Sequence, residues 1–183
     1  MPAKTNRRHR QGEESRLRIL DAAVEIAAER GYDGTTMDLI TERTGLPASS
    51  VYWQFRNKDE LLAESLDHSY RLWRRTGPSW EPGEYTGASA DRIRRRLSYA
   101  NSAIHSQPEY WRLGLMVSLL RKSDKIAAQG RFTSLRGESI SLIEAWWRSV
   151  LPPDAAGRPE ITHSLTRGYL SLVDGMFVAH RAD

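Results

Sequence analysis

The sequence predicts an all-α fold on three observations: apolar residues recur at helical spacing, alternating β-branched stretches are nearly absent, and Gly, Pro and capping residues fall between the periodic runs. The first predicted helix starts at Ser15, lines Leu20, Ala23, Val24 and Ala27 along one face, and stops at Gly31, a residue suited to a left-handed C-terminus. Thr35 is read as the cap of a second helix, with Asp38 in capping-box relation, and that helix runs to about Thr44 before Gly45. Pro47 fits a first helical turn, so Ala48 to Gln54 form a third, short helix. Asn57 caps a fourth helix that reaches about Arg75, with Asp59 and Glu60 in its first turn, where the helix dipole favours acids.

The stretch GPSWEPGEYTGASA holds three Gly and two Pro in fourteen residues and is read as a connecting loop. A fifth helix is expected from about Ala88 to Ser106, a sixth from Pro108 through Leu120, and a long one from Asp124 to Val150 with Gly130 as a candidate break. LPPDAAGRPE is a second loop, and Pro159 opens the last helix, which ends near His180.

Composition excludes several function classes. The chain of 183 residues has no cysteine, so disulfides, thiolate nucleophiles, Cys-type zinc sites and iron–sulfur clusters are ruled out. The longest nearly unbroken apolar run, Leu113 to Leu120, is far too short to span a bilayer. The start MPAKTNRRHRQGEE turns acidic where a secretory signal would turn apolar, so a cytoplasmic location and no membrane partner are expected. GxSxG, Walker, HExxH and GxGxxG patterns are all missing, which disfavours an enzyme. Glu160 and His163 share a helix face, but two such ligands make a weak metal site, and neither a metal nor a cofactor is expected.

Charge is more informative by location than by total. The net charge is +4, and residues 1–12 hold Lys4, Arg7, Arg8 and Arg10 without an acid; the remainder balances 23 bases with 23 acids. Residues 1–12 are therefore expected to be a basic, flexible arm suited to phosphates, with Arg8 and Arg10 as its DNA contacts and a solvated, disordered tail as the alternative, which composition alone favours. Residues 13–66 carry six bases against eleven acids, the opposite of the usual footprint of DNA binding.

The second and third predicted helices, joined by a Gly turn, have the spacing of a helix-turn-helix, whose second helix enters the major groove. Residues Ile19, Leu20, Ala22, Ala23, Gly31, Tyr32, Thr35, Thr36, Ile40, Gly45, Val51, Tyr52, Phe55, Lys58, Leu61 and Leu62 extend that signal. With them the stretch from Arg18 to Asp67 closely resembles the N-terminal domain of the tetracycline-repressor (TetR) family of bacterial regulators. The resemblance implies a helix-turn-helix DNA-binding domain at 13–56 and a helical effector-binding and dimerisation domain at 57–183. By position it also implies that Thr36, Tyr52 and Lys58 hold phosphates and that Ala48, Ser49, Ser50, Trp53 and Gln54 face the groove. Their chemistry agrees: hydroxyl and ammonium groups beside free helix amides clamp phosphate, and Gln prefers adenine. The sequence departs from the family at Pro47, where a capping Ser is common.

The resemblance further implies a small-molecule effector and a homodimer. Trp73, Tyr99, His105, Tyr110, Trp111, Met116, Phe132, Trp146 and Tyr169 are the candidate effector lining, with ordinary core packing as the alternative for each. Their abundance suggests an apolar or aromatic effector. Ser164, Gly168, Ser171, Gly175 and Ala179 form a small-residue stripe on the last helix, flanked by Leu172 and Met176. Paired with the helix bearing Trp147, they are the expected dimer interface, and close packing within one subunit is the alternative. The cluster Arg92, Arg94, Arg95 and Arg96 reads as a solvated face, with an anion site as the alternative. Together these readings describe a ligand-responsive repressor binding a palindromic double-stranded DNA operator. The competing reading is a helical small-molecule-binding or catalytic protein with a vestigial motif.

Overall fold

The computed structural model describes residues 3–77, 79–81, 88–104, 108–120 and 126–182. Their secondary structure is helical throughout: α1 (Ala3–Gly34), α2 (Met37–Thr44), α3 (Ala48–Gln54), α4 (Lys58–Thr76), α5 (Ser89–Ile104), α6 (Glu109–Ser118), α7 (Ala127–Val150), α8 (Pro153–Ala156) and α9 (Pro159–Ala182).

Several ends depart from expectation for identifiable reasons. α1 begins at Ala3, well before Ser15, so the backbone of the expected arm is helical; Gly12 is the weakest helix former there, and Arg10 and Glu14 pair at helical spacing. Gly31 adopts φ 71° and bends α1 where the stop was expected. The cap of α2 is Thr36, whose side chain accepts from the Leu39 N–H at 3.3 Å, while the hydroxyl of buried Thr35 donates to the Gly31 carbonyl at 2.8 Å. Gly45 closes α2 at φ 63° and Asn57 caps α4 through the Glu60 N–H at 2.9 Å, both as expected. α7 starts at Ala127 and runs unbroken through Gly130, and the short α8 stands inside the stretch expected to be loop.

The chain divides into two compact units, residues 1–69 with 112–132, and residues 70–111 with 133–183. In the first, Ile19, Ala23, Ile40, Val51, Phe55, Leu61, Leu62 and Leu66 form a core in which each is fully buried. Such burial contributes about 1.5–3 kcal/mol for each large side chain. Around it, Arg16 pairs with Glu64 and lies 4.6 Å over the Phe55 ring, and Ser65 bonds the Leu61 carbonyl at 2.9 Å. The Asp59 carboxylate accepts from the N–H groups of Ala127 and Ala128 at 2.8 and 3.1 Å, thereby capping α7. Arg131 makes a bidentate pair with Asp67. Compactness thus extends this unit beyond residue 57, because α4 packs on α1 and the start of α7 is tied to α4.

In the second unit, α9 buries Thr162, Thr166, Leu170, Val173 and Phe177. Arg136 and Asp174 link α7 to α9, and Tyr70 and Ser139 share a hydrogen bond of 3.2 Å.

Candidate functional site

The helix-turn-helix is fixed from both sides of its turn. Arg18 donates to the Thr44 carbonyl, the Thr44 hydroxyl donates to the Ile40 carbonyl at 2.8 Å, and the same hydroxyl accepts from the Leu46 N–H at 3.3 Å. Pro47 occupies the N-cap of α3 without a side-chain bond, so only its carbonyl organises the first turn, accepting from Ser50 N–H at 2.8 Å. Val51 and Phe55 anchor α3 in the core. Neighbouring positions on a helix point about 100° apart, so this anchoring turns the other face outward.

That outward face holds Ala48 and Ser49, both exposed, with Ser50 and Gln54 partly so. Tyr52 is 49% and Trp53 84% exposed, although both are large enough to belong in a core. Ser49, Ser50, Trp53 and Gln54 line a groove of about 540 Å³ with Leu46, Pro47 and the Gln11, Gly12 and Ser15 positions of α1. The α1 residues of this groove were not anticipated from sequence, because helical periodicity carries no information about a face that stays outside the core.

The expected phosphate contacts are placed as follows. Thr36 is exposed, and while its oxygen caps α2 its O–H remains available to donate. Lys58 is half-buried; its Nζ donates to the Tyr32 carbonyl at 3.0 Å and stands 4.5 Å from the Tyr32 ring centroid. Arg10 is exposed at 3.5 Å from Glu14, and the Arg8 side chain lies outside the described residues. Arg43, one of the six bases of residues 13–66, is tied to Glu25 at 3.1 Å and Glu29 at 2.9 Å. Its hydrogen bond to Arg43 lowers the Glu29 pKa, and the same bond raises that of Arg43.

The effector candidates are not gathered at one place. Trp73, Tyr110, Trp111 and Tyr169 line one cavity in the second unit, together with Trp80, Arg136, Ser139, Ile143 and Leu170. Tyr99 and Trp146 line a separate, more open pocket of about 190 Å³ with Arg92, Arg95, Arg96 and Val150. Met116 and Phe132 belong to the first unit, where the Phe132 ring packs on Gly114, and His105 lies outside the described residues. The first cavity has room for only about 10 Å³, roughly one water's probe volume. Its rings are mutually packed: Trp73 stacks on Tyr110 at 5.8 Å, and Trp80 meets Trp146 edge-on at 5.1 Å and Tyr169 at 5.2 Å. Burial pushes the phenol pKa of Tyr110 and of Tyr169 well above the ordinary tyrosine value, so both are neutral hydroxyls. Trp80 was missed from sequence because it sits in the Gly- and Pro-rich loop, where no periodicity marks a buried residue.

Of the dimer candidates, Ser164, Gly168, Ser171, Leu172, Gly175 and Ala179 are exposed and Met176 partly so. A Cβ placed on Gly168 or Gly175 meets nothing within 4 Å, so close packing within the subunit does not account for these glycines. Trp147 is a correction: it is 4% exposed and packs on Trp146 at 4.8 Å, because adjacent tryptophans on α7 are both drawn into the aromatic core. Glu160 and His163 do not meet; Glu160 pairs with Arg158 and the His163 ring with Glu144.

Comparison with known proteins bears on this architecture. Residues 19–65 match the family model for bacterial regulatory proteins of the tetR family. The chain is 34% identical over 56 residues to the negative transcriptional regulator IcaR of the biofilm operon icaADBC in Staphylococcus epidermidis, covering 31% of this chain and 30% of that one. It is 40% identical over 56 residues to the transcriptional regulator SrpR of Pseudomonas putida, covering 31% and 26%. The matches thus span less than a third of either relative's length. In fold, it resembles the crystal structure of AibR in complex with isovaleryl coenzyme A and operator DNA, at TM-score 0.68 and 16% identity over 89% of this chain and 85% of that one. No helix among the described residues is long and apolar enough to cross a membrane. Residues 19–65, which hold the helix-turn-helix, are thus similar to bacterial regulatory proteins of the tetR family, and the all-α fold is similar to that of AibR.

Proposed function

We propose that the protein is a ligand-responsive transcriptional repressor, and not an enzyme, that binds a palindromic operator as a homodimer and is released by a small-molecule effector. The observation that carries this reading is the outward face of α3: a short, core-anchored helix that leaves Tyr52 and Trp53 in solvent beside small and polar residues. A face of that kind fits the major groove, with Ser50 and Gln54 reaching base edges and Tyr52, Thr36 and Lys58 holding the flanking phosphates. Two such helices in a dimer would enter successive major grooves about 34–36 Å apart. The dimer surface is the exposed face of α9, where Leu172 is 60% exposed beside Gly168, Ser171 and Gly175. Effector binding in the second unit would shift the population between two dimer states that present the α3 helices at different separations. The structural relative that carries both an acyl-coenzyme A and operator DNA supports such coupling.

One observation favours the competing reading of a vestigial motif: residues 13–66 are acidic, and Arg43 is held by two glutamates. A gel-shift assay with the DNA upstream of its own gene separates the two. A retarded complex lost in Trp53→Ala supports the repressor, and free DNA at micromolar protein supports the competing reading.

A further inference from the structure

The aromatic cluster of the second unit contains a chemical imbalance that ordinary core packing does not explain. Trp73, Trp80, Trp111, Trp146 and Trp147 are all more than nine-tenths buried, and their indole N–H groups find no acceptor among the described residues. Buried indoles ordinarily find a partner, since an orphaned donor loses its hydrogen bond to water with no return. Three of the five, Trp73, Trp80 and Trp111, line the same closed cavity. Water is a poor remedy, because the free space of about 10 Å³ holds at most one molecule.

The remaining lining sets the charge of an occupant. Arg136 lines the cavity, and no carboxylate does so among the described residues; Asp174, its ion partner, is engaged from α9 at 3.2 Å. Tyr110 and Tyr169 stay protonated, so neither supplies an anion. The lining therefore brings together aromatic rings, three indoles whose N–H groups have no acceptor among the described residues, and one guanidinium paired with Asp174. Aromatic faces alone would suit a lipophilic cation, but such a guest has no acceptor for the indoles and would face Arg136.

We propose that this cavity is the effector site and that it selects a flat, apolar or aromatic molecule carrying two or more acceptor oxygens, neutral or singly anionic, over hydrocarbons and cations of the same size. This rests on the effector-responsive reading above and narrows its chemistry. The cavity is closed at rest, so the guest enters by displacing rings from one another, and the donors then meet its oxygens. A guest without acceptors gains the same apolar contact yet leaves the indoles unpaired, and that difference is the source of selection.

Three bicyclic probes of matched size test it by isothermal titration calorimetry on the full-length protein: menadione, which has two carbonyl oxygens, naphthalene, which has none, and 1-methylquinolinium, a cation. The absence of cysteine removes thiol addition to the quinone as a complication. The expected result is menadione at least ten-fold tighter than either other probe, with the preference over naphthalene reduced to three-fold or less in Trp80→Phe or Trp111→Phe. Equal or tighter binding of naphthalene or the cation overturns the proposal, as does an absence of binding by all three. Should the variants fail to fold, as judged by circular dichroism, the probe ranking on the unaltered protein decides alone. The same probes are then added to the protein–operator complex: tight menadione binding without release of DNA leaves the site standing and removes the effector reading, whereas release by menadione alone supports both.

Discussion

The Lys58 ammonium donates to the Tyr32 carbonyl at 3.0 Å, joining the first turn of α4 to the last residues of α1, just past its bend at Gly31. A cation at a helix C-terminus is favourable in its own right, and Nζ also reaches the Asp33 carbonyl at 3.5 Å, so one of the three ammonium donors is left for a phosphate. Lys58 thus ties the first turn of α4 to the end of α1, and the proposed function assigns its remaining donor to the operator backbone. Lys58→Ala is expected to weaken operator binding about ten-fold, a loss of about 1.4 kcal/mol, and to reduce the log–log salt slope by about 0.9. Fluorescence anisotropy at several salt concentrations measures both. Weaker binding with an unchanged slope would assign Lys58 a positioning role alone.

The amino-terminal bases admit a similar test. Because α1 begins at Ala3, Lys4, Arg7, Arg8 and Arg10 stand on a helix that continues toward the α3 groove at Gln11. Deleting residues 1–12 should weaken operator binding and lower the salt slope by about 0.9 for each phosphate that is no longer neutralised. A slope equal to that of the full chain would remove these residues from the interface.

Gly114 is required by its neighbour. A Cβ there would overlap the Phe132 ring, and both residues lie in the first compact unit. Gly114→Ala should cost about 1–3 kcal/mol, as overpacking of a core does, and thermal melting should show it as about 2–4 °C per kcal/mol for a chain of this size. Replacing the ring with a smaller side chain, in the double variant with Phe132→Leu, should recover part of the stability. An unaltered melting temperature in the single variant would mean that the ring moves freely.

Asp59 caps α7 from a distant helix, α4, by accepting from the Ala127 and Ala128 N–H groups. Asp59→Ala should lower stability by about 0.5–2 kcal/mol, the range for a lost N-cap, in urea unfolding. Asp59→Asn, which retains an acceptor, should recover most of it. Equal loss in both variants would point to charge and not to the cap.

These residues also separate what local sequence could tell from what it could not. Gly45, Asn57 and the limits of α3 were legible because turn geometry and capping are settled by a few neighbouring residues. The choice between Thr35 and Thr36 as the α2 cap was not, since it depends on the Thr35 hydroxyl turning back to the Gly31 carbonyl at the bend. The start of α7 was placed too early because its cap, Asp59, is distant in the chain. Residue type alone named Trp73, Tyr99, Tyr110 and Trp111 together and could not separate the three that are buried from Tyr99, which is exposed; it gave no signal for Trp80 in its loop and could not show that Trp147 turns inward with Trp146. The exposed groove face of α3 was legible through family resemblance, while the involvement of Gln11 and Ser15 required the helices to be placed in space.

The exposed stripe of α9 yields a prediction about assembly. Gly175→Leu places a bulky side chain where the subunit itself has open space, so the fold should survive and the dimer should not. Sedimentation at micromolar concentration should show monomer mass with an unaltered circular dichroism spectrum. A folded dimer of normal mass would move the interface elsewhere.

DNA reading by the outward face of α3 is the property on which the proposed function depends. Its most direct test is a binding titration of the full-length protein against the DNA upstream of its own gene, with Trp53→Ala and Lys58→Ala in parallel. The expected result is a saturable complex at a stoichiometry of one dimer per site that outcompetes random DNA and is weakened at least ten-fold in each variant. Binding no tighter than to random DNA, or binding that both variants leave unaltered, would contradict it.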